Sequence, residues 1–285
     1  MNKRIATAVA VFGAASILSG CAIEQPSAGC IIQDASVYAW QASYIPKTEA
    51  DAAKSCGQLK GEQLGVWKFT NPDAAADVKA ANKASSLAIR PRRLASLTRM
   101  SYTYETGAVG TDGKPEKKTV TVTRVPQDQW DDATAQSQTL PEEPDENGFC
   151  KATGFAQASI TVEAVVNNNV TPAKVEAPAA SRTYQYGDIE VYAHPAAPGT
   201  QLRGTLTYTE GDCTAEYNVL AVWPSVGCDP EAFANPTEEN KASRCAEGSG
   251  LNPDFDAVCV AGIGASGAPA CVPNPATGLT LVGRK

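Results

Sequence analysis

The sequence predicts a mainly β protein: an antiparallel, β-sandwich-like domain braced by disulfides, with one short helix and a Cys-, Pro- and Gly-rich C-terminal tail. Three observations predict it. Stretches rich in Val, Ile, Tyr and Trp alternate apolar with polar residues at period two. Glycine-containing turns join several of them into hairpins. No long segment keeps a helical period, and nine cysteines are spread over 285 residues. Short strands with one apolar and one polar face must bury the apolar face against another layer, which is the logic of an antiparallel sheet or sandwich.

Taken in order, Ser36 to Ile45 reads as the first strand, with Tyr38, Trp40, Ala42 and Tyr44 on one face. Leu64 to Phe69 reads as the second. Asn71-Pro72-Asp73 is a helix start, with a capping side chain, a proline at the first helical position and an acid in the first turn. The alanine-rich stretch to Ala84 continues it as a short, weakly packed helix. Met100, Tyr102 and Tyr104 alternate with polar residues, a turn from Gly107 to Gly113 follows, and Thr119 to Val125 resumes the alternation as a β-hairpin. Residues 127–148 are acidic, contain Pro141 and Pro144 and have no period, as a linker would. From Gly154 to Val166 the alternation is unbroken, which predicts one long strand with a buried face. Another strand spans Asp188 to Ala193. Leu202 to Tyr208 and Ala215 to Trp223 pair through Glu210-Gly211-Asp212 as a second hairpin.

Beyond Pro224 lie four cysteines among prolines, glycines and asparagines, a tail with little core of its own. Eight cysteines allow 105 connectivities. Pairing neighbours along the chain gives Cys30–Cys56, Cys150–Cys213, Cys228–Cys245 and Cys259–Cys271. The first would close about 27 residues, worth roughly 3 to 4 kcal/mol by chain entropy.

The first residues give an address. Met1-Asn2-Lys3-Arg4 is basic, and the uncharged apolar run Ile5–Leu18 has 14 residues, too few for a membrane span of about 20. It ends Leu18-Ser19-Gly20-Cys21. This segment resembles the lipobox of bacterial lipoproteins. That resemblance implies cleavage before Cys21, a lipid with palmitate-type acyl chains on its thiol and amino terminus, and, from Ala22 in place of an aspartate, delivery to the outer membrane. Two or three acyl chains anchor firmly, because each buried methylene contributes about 0.8 kcal/mol. The domain plan is then a signal peptide at 1–20, a lipidated tether at 21–29, a β-rich region at 30–126, the acidic linker at 127–148, a second β-rich region at 149–225 in the same sandwich, and the disulfide-rich tail at 226–285.

Composition excludes several functions. The formal charge is −7, and loss of Lys3 and Arg4 with the signal leaves 22 basic against 31 acidic residues, a net −9. Such a chain repels phosphate backbones, so no nucleic-acid partner is expected. Its single histidine, His194, leaves little room for triads or zinc sites, and no cysteine pair has the C-x-x-C spacing. Gly262-Ile263-Gly264-Ala265-Ser266-Gly267 matches G-x-G-x-x-G, but that motif's chemistry requires a strand before it, a helix after it and an acid about 20 residues on, and here it sits between Cys259 and Cys271 with only 18 residues following. It reads as a loop between cysteines. The acidic strings at Gln129–Asp132 and Pro141–Glu146 do not fit a calcium-loop register, and Asn169-Val170-Thr171 carries no assigned role. No catalytic residue, metal site or cofactor is expected. Tyr38, Trp40, Tyr44 and Trp67 would form a sugar- or peptide-binding platform if they face outward and core if they face inward. The expected function is a lipid-anchored envelope protein with a structural or binding role. Its partners would be the membrane, through Cys21, and another envelope protein or a polysaccharide. The alternative is a carbohydrate-active or calcium-dependent enzyme working with two carboxylates.

Overall fold

The computed structural model describes residues 29–69 and 85–281. The signal peptide, Cys21, most of the tether and the helix expected after Asn71 lie outside them. Among the described residues no helix is long and apolar enough to cross a membrane.

The main sheet contains strands β1 (Ala35–Pro46), β2 (Gly61–Phe69), β3 (Ser86–Pro91), β6 (Ala135–Gln136), β7 (Phe149–Ala152), β8 (Ala158–Val162), β11 (Ala180–Tyr192), β12 (Gln201–Glu210) and β13 (Cys213–Val222). Its order is β6-β3-β2-β1-β13-β12-β11-β7, with β8 also on β11. All its pairings are antiparallel. The two ends of this order meet. Thr139, just past β6, bridges Thr153, just past β7, and Ala156 N–H donates to the Gln136 carbonyl at 2.9 Å. One sheet therefore curls until its edges join, so the apolar faces expected to oppose each other as two layers are opposite walls of one curled sheet. Closure also removes exposed edge strands.

Alternation decides what fills the interior. On β13, Ala215, Tyr217, Val219 and Ala221 point inward, and on β12 Leu202, Leu206 and Tyr208 do. On β11 the inward set begins as Tyr184 and Tyr186 and resumes as Ile189 and Val191. That change of parity is the signature of a bulge, and the register indeed shifts between Tyr186 and Ile189. Opposite it stands Gly204, where a Cβ would lie 2.4 Å from Ile189 Cδ1. Sequence periodicity registers only the later half of this strand, since the bulge breaks the period.

Three further hairpins leave the main sheet. β4 (Arg99–Val109) with β5 (Pro115–Thr123), and β9 (Val165–Asn167) with β10 (Lys174–Ala177), each form a two-stranded sheet. β14 (Ala257–Val260) and β15 (Ala270–Pro273) form the third, in the tail, and β15 packs against β1 and β13. The expected strand from Gly154 to Val166 is divided between β8 and β9. Its inward face keeps only Ala158, Ile160 and Val162, while Ala156 and Ala164 are exposed.

Residues 127–148 are not a free linker. They form a 3-10 helix over Gln127–Ala133 and strand β6, and they bury Ala133, Ala135 and Leu140 in the core. Small apolar residues dispersed among acids carry no period, so their burial leaves no trace in a pattern search.

The cysteines pair differently from the neighbour rule. The bridges are Cys30–Cys150, Cys56–Cys213, Cys228–Cys259 and Cys245–Cys271, with sequence separations of 120, 157, 31 and 26. The pairings Cys30–Cys56, Cys150–Cys213, Cys228–Cys245 and Cys259–Cys271 are all replaced. The reason is topological: antiparallel closure brings the chain before β1 beside β7, and the turn before β2 beside the start of β13. In the tail, Cys259 and Cys271 stand opposite each other in the β14–β15 register, yet each bonds to a loop instead, stapling the hairpin to Cys228 and Cys245.

Candidate functional site

Strand direction defines two ends of the sheet. Gly29, the last residues of β2 and β13 and the first of β12 share one end. The beginning of β2, the end of β12 and the short helix Arg92–Ala95 share the other. At this second end a groove opens between the sheet and the tail.

Its floor is the start of β2. Gly61 has φ +152, and a Cβ there would lie 2.1 Å from the Ala42 carbonyl oxygen, so only glycine lets β1 and β2 approach this closely. The next residue, Glu62, points into the sheet's interior with Leu64 and Val66 and is 3% exposed. Its carboxylate accepts from the Arg93 backbone N–H at 2.7 Å, the Tyr184 hydroxyl at 2.7 Å and the Tyr44 hydroxyl at 3.3 Å. Burial raises the Glu62 pKa, and these hydrogen bonds only partly oppose it. Burial, and then the nearby Glu62 charge, also hold Tyr44 and Tyr184 well above the usual phenol value.

The walls are basic. Arg92 donates to Gln63 Oε1 and lies 5.7 Å above the Tyr38 ring. Arg93 lies beside Tyr208, whose pKa burial lifts to about 12. Arg182 donates from Nε to Glu210 at 2.7 Å and from Nη1 to the Arg93 carbonyl at 3.3 Å. Burial would raise the Glu210 pKa, but the hydrogen bond and charge of Arg182, with Tyr208 and Arg93, together outweigh it and hold the carboxyl below its ordinary value. Lys60 stands exposed at the rim.

The roof is the glycine-rich loop between β14 and β15. It is held down by Gln41, whose Nε2 donates to the Ile263 carbonyl at 3.1 Å, and closed by Gly264 N–H on the Ala268 carbonyl at 2.8 Å. Ile263 is buried. The G-x-G-x-x-G string is therefore a hairpin loop, as its surroundings in the sequence imply, but one seated over a cleft. The groove has two adjoining compartments, of about 330 and 300 Å³, which share Gly61, Arg93, Gly262 and Ile263.

The aromatics proposed as a platform do not form one. Trp40 is fully buried and donates from Nε1 to the Gln33 carbonyl at 2.9 Å, and Tyr44 is buried on Glu62. Tyr38 is half-buried under Arg92, while Trp67 lies half-exposed with Phe69 at 6.1 Å. Inward parity on β1 makes Trp40 and Tyr44 core. His194 stacks on Tyr192 at 5.7 Å and accepts from the Ala196 N–H through Nδ1 at 3.1 Å, which is strand-end structure. Asp145 in the second acidic string accepts from the Asn147 and Phe149 N–H groups, each at 2.8 Å, to fix a turn. The groove residues Glu62, Arg93, Tyr208 and Glu210 escape sequence reading. One signal for them existed: Glu62 is a carboxylate at the parity of Leu64 and Val66.

A family model described as MlpA matches residues 38–224, which span the main sheet and stop short of the tail. A Myxococcus xanthus protein named "Putative lipoprotein MlpA" is 32% identical over 262 residues, covering 91% of this chain and 91% of its own. No solved structure matches. On the strength of that family match and that relative, the chain belongs to the MlpA family.

Proposed function

We propose that this protein is a lipid-anchored envelope protein, held at the outer membrane through Cys21, whose sheet presents the groove to a ligand or partner on the side away from the anchor. The lipobox and the lipoprotein name of the Myxococcus xanthus relative support the anchorage. The observation that carries the presentation is the polarity of the sheet. The chain enters β1 at Ala35, and Gly61 at the groove stands opposite Ser43, eight residues farther along the strand. At roughly 3.3 Å per residue that is about 26 Å before strand tilt is allowed for. The residues between Cys21 and Gly29 reach at most about 28 Å, so the chain enters the sheet near the bilayer and the groove lies farther along β1 from the anchor.

The test is Cys21→Ser in the native host. The natural protein should label with palmitate and sediment with outer-membrane vesicles, and the variant should lose the label and leave the outer-membrane fraction. Retention of the palmitate label by the variant would overturn anchorage through Cys21.

A further inference from the structure

We infer that the groove binds a small oxyanion, a phosphate or carboxylate group carried on a molecule no larger than about a monosaccharide. The inference rests on the binding role proposed above and names the chemistry of the ligand.

Charge is the first support. The mature chain is strongly acidic, yet Lys60, Arg92 and Arg93 line this groove and form no ion pair with a carboxylate among the described residues. The two acids present are already engaged: Glu210 takes the Arg182 guanidinium at 2.7 Å, and Glu62 is saturated by three donors. Glu210 is thus spent on Arg182, and Glu62 offsets only one of the remaining three cations, so a positive surplus is left.

Unsatisfied donors are the second support. Arg93 Nε and the Tyr208 hydroxyl are both buried, and neither completes a hydrogen bond among the described residues. Tyr208 is 1% exposed and lines the larger compartment. Buried donors of this kind are expensive to leave unpaired, and a guanidinium matches the oxygens of phosphate or carboxylate better than those of a neutral hydroxyl.

Size is the third. Compartments of about 330 and 300 Å³ lie at the lower end of small-molecule sites, and their lining of charged side chains and glycine backbone favours a polar occupant over an apolar one. Three sources share the chemistry: free phosphate, a phosphorylated lipid headgroup and an acidic sugar.

The experiment is calorimetric titration of the mature lipoprotein in non-ionic detergent at low salt with inorganic phosphate, glycerol 3-phosphate, galacturonate and, as the neutral control, galactose. At least one anion should bind saturably and galactose should not. The tightest of the three identifies the source. Arg93→Gln and Lys60→Gln should each weaken binding about tenfold, as expected for loss of one charge-assisted contact. Lys60 is exposed, so its variant decides the matter if Arg93→Gln fails to fold. Absence of saturable anion binding up to about 20 mM, or variants that bind like the natural protein, would overturn the inference. Heat from galactose alone would do so as well, while leaving a binding role intact. Anchorage is tested separately by the fractionation of Cys21→Ser.

Discussion

Replacing Cys56 and Cys213 together by alanine tests the topology most directly. The bridge closes 157 residues, and chain entropy alone sets a ceiling of about 5 kcal/mol for a loop of that length. The Cys30–Cys150 bridge spans part of the same stretch and shortens the effective loop, but the dependence is logarithmic, so about 4 kcal/mol survives. Contacts change little. The Tyr217 hydroxyl still finds the Cys56 carbonyl, since that acceptor is backbone. What is lost is the Sγ of Cys213 that accepts from the Cys56 N–H at 3.2 Å. The expected loss is therefore about 3 to 5 kcal/mol, and a fall in Tm of about 10 °C for a chain of this size. Equilibrium urea unfolding of the soluble Cys21→Ser protein, followed through the buried Trp40, measures it, and a non-reducing peptide map of the parent checks the connectivity. A loss below about 1 kcal/mol, or a map joining Cys56 to Cys30, would refute the reasoning.

Two other outcomes follow from the same geometry. Glu62 has a pKa raised above its ordinary 4.5, first by burial. Below both the unfolded and the folded value it is protonated in either state. As pH rises past the unfolded value, the unfolded chain sheds the proton first, and the native state loses relative stability until the folded pKa is passed. Glu62→Gln cannot ionise, so its Tm relative to the natural protein should rise between about pH 4 and pH 7. A fall over that range would contradict a raised pKa. In the tail, Leu251 and Phe255 complete their small core with Phe149, Tyr192 and Val222 from the main sheet. Removing the Cys245–Cys271 bridge with paired alanines should therefore abolish hydrogen-exchange protection in β14 and β15 while leaving β11 to β13 protected. Loss of protection in all strands together would show that the tail and the sheet unfold as one unit.

Short-range physics is legible in single residues. The β12–β13 hairpin is readable because Leu202, Leu206 and Tyr208 face Ala215, Tyr217 and Val219 across a turn in which Gly211 takes φ +58. The β4–β5 hairpin is readable in the same way, from alternation of Met100, Tyr102 and Tyr104 and a turn with three glycines. Where a strand bulges the legibility stops: at Tyr186–Ile189 an extra residue inverts the parity, and on β1 the register shifts before Trp40, near Tyr38 with its φ of +45. A period-two reading cannot carry across such a shift. Tyr38, Trp40 and Tyr44 share one face in the sequence, but whether that face meets solvent or core depends on strands more than a hundred residues away.

By itself, then, the sequence determined the antiparallel β class, most strand positions, both long hairpins and the lipobox, because each is set by neighbours within a few residues. Only the tertiary structure decided the closure of the sheet, the four disulfide partners, the inward fate of Trp40 and Tyr44, and the meeting of Lys60, Arg93, Tyr208 and the Gly262–Gly267 loop around one groove. The disulfides join segments 26 to 157 residues apart, and the loop over the groove meets Gln41 across 222 residues. Their partners are fixed by the packing of the whole sheet rather than by any local preference of the chain.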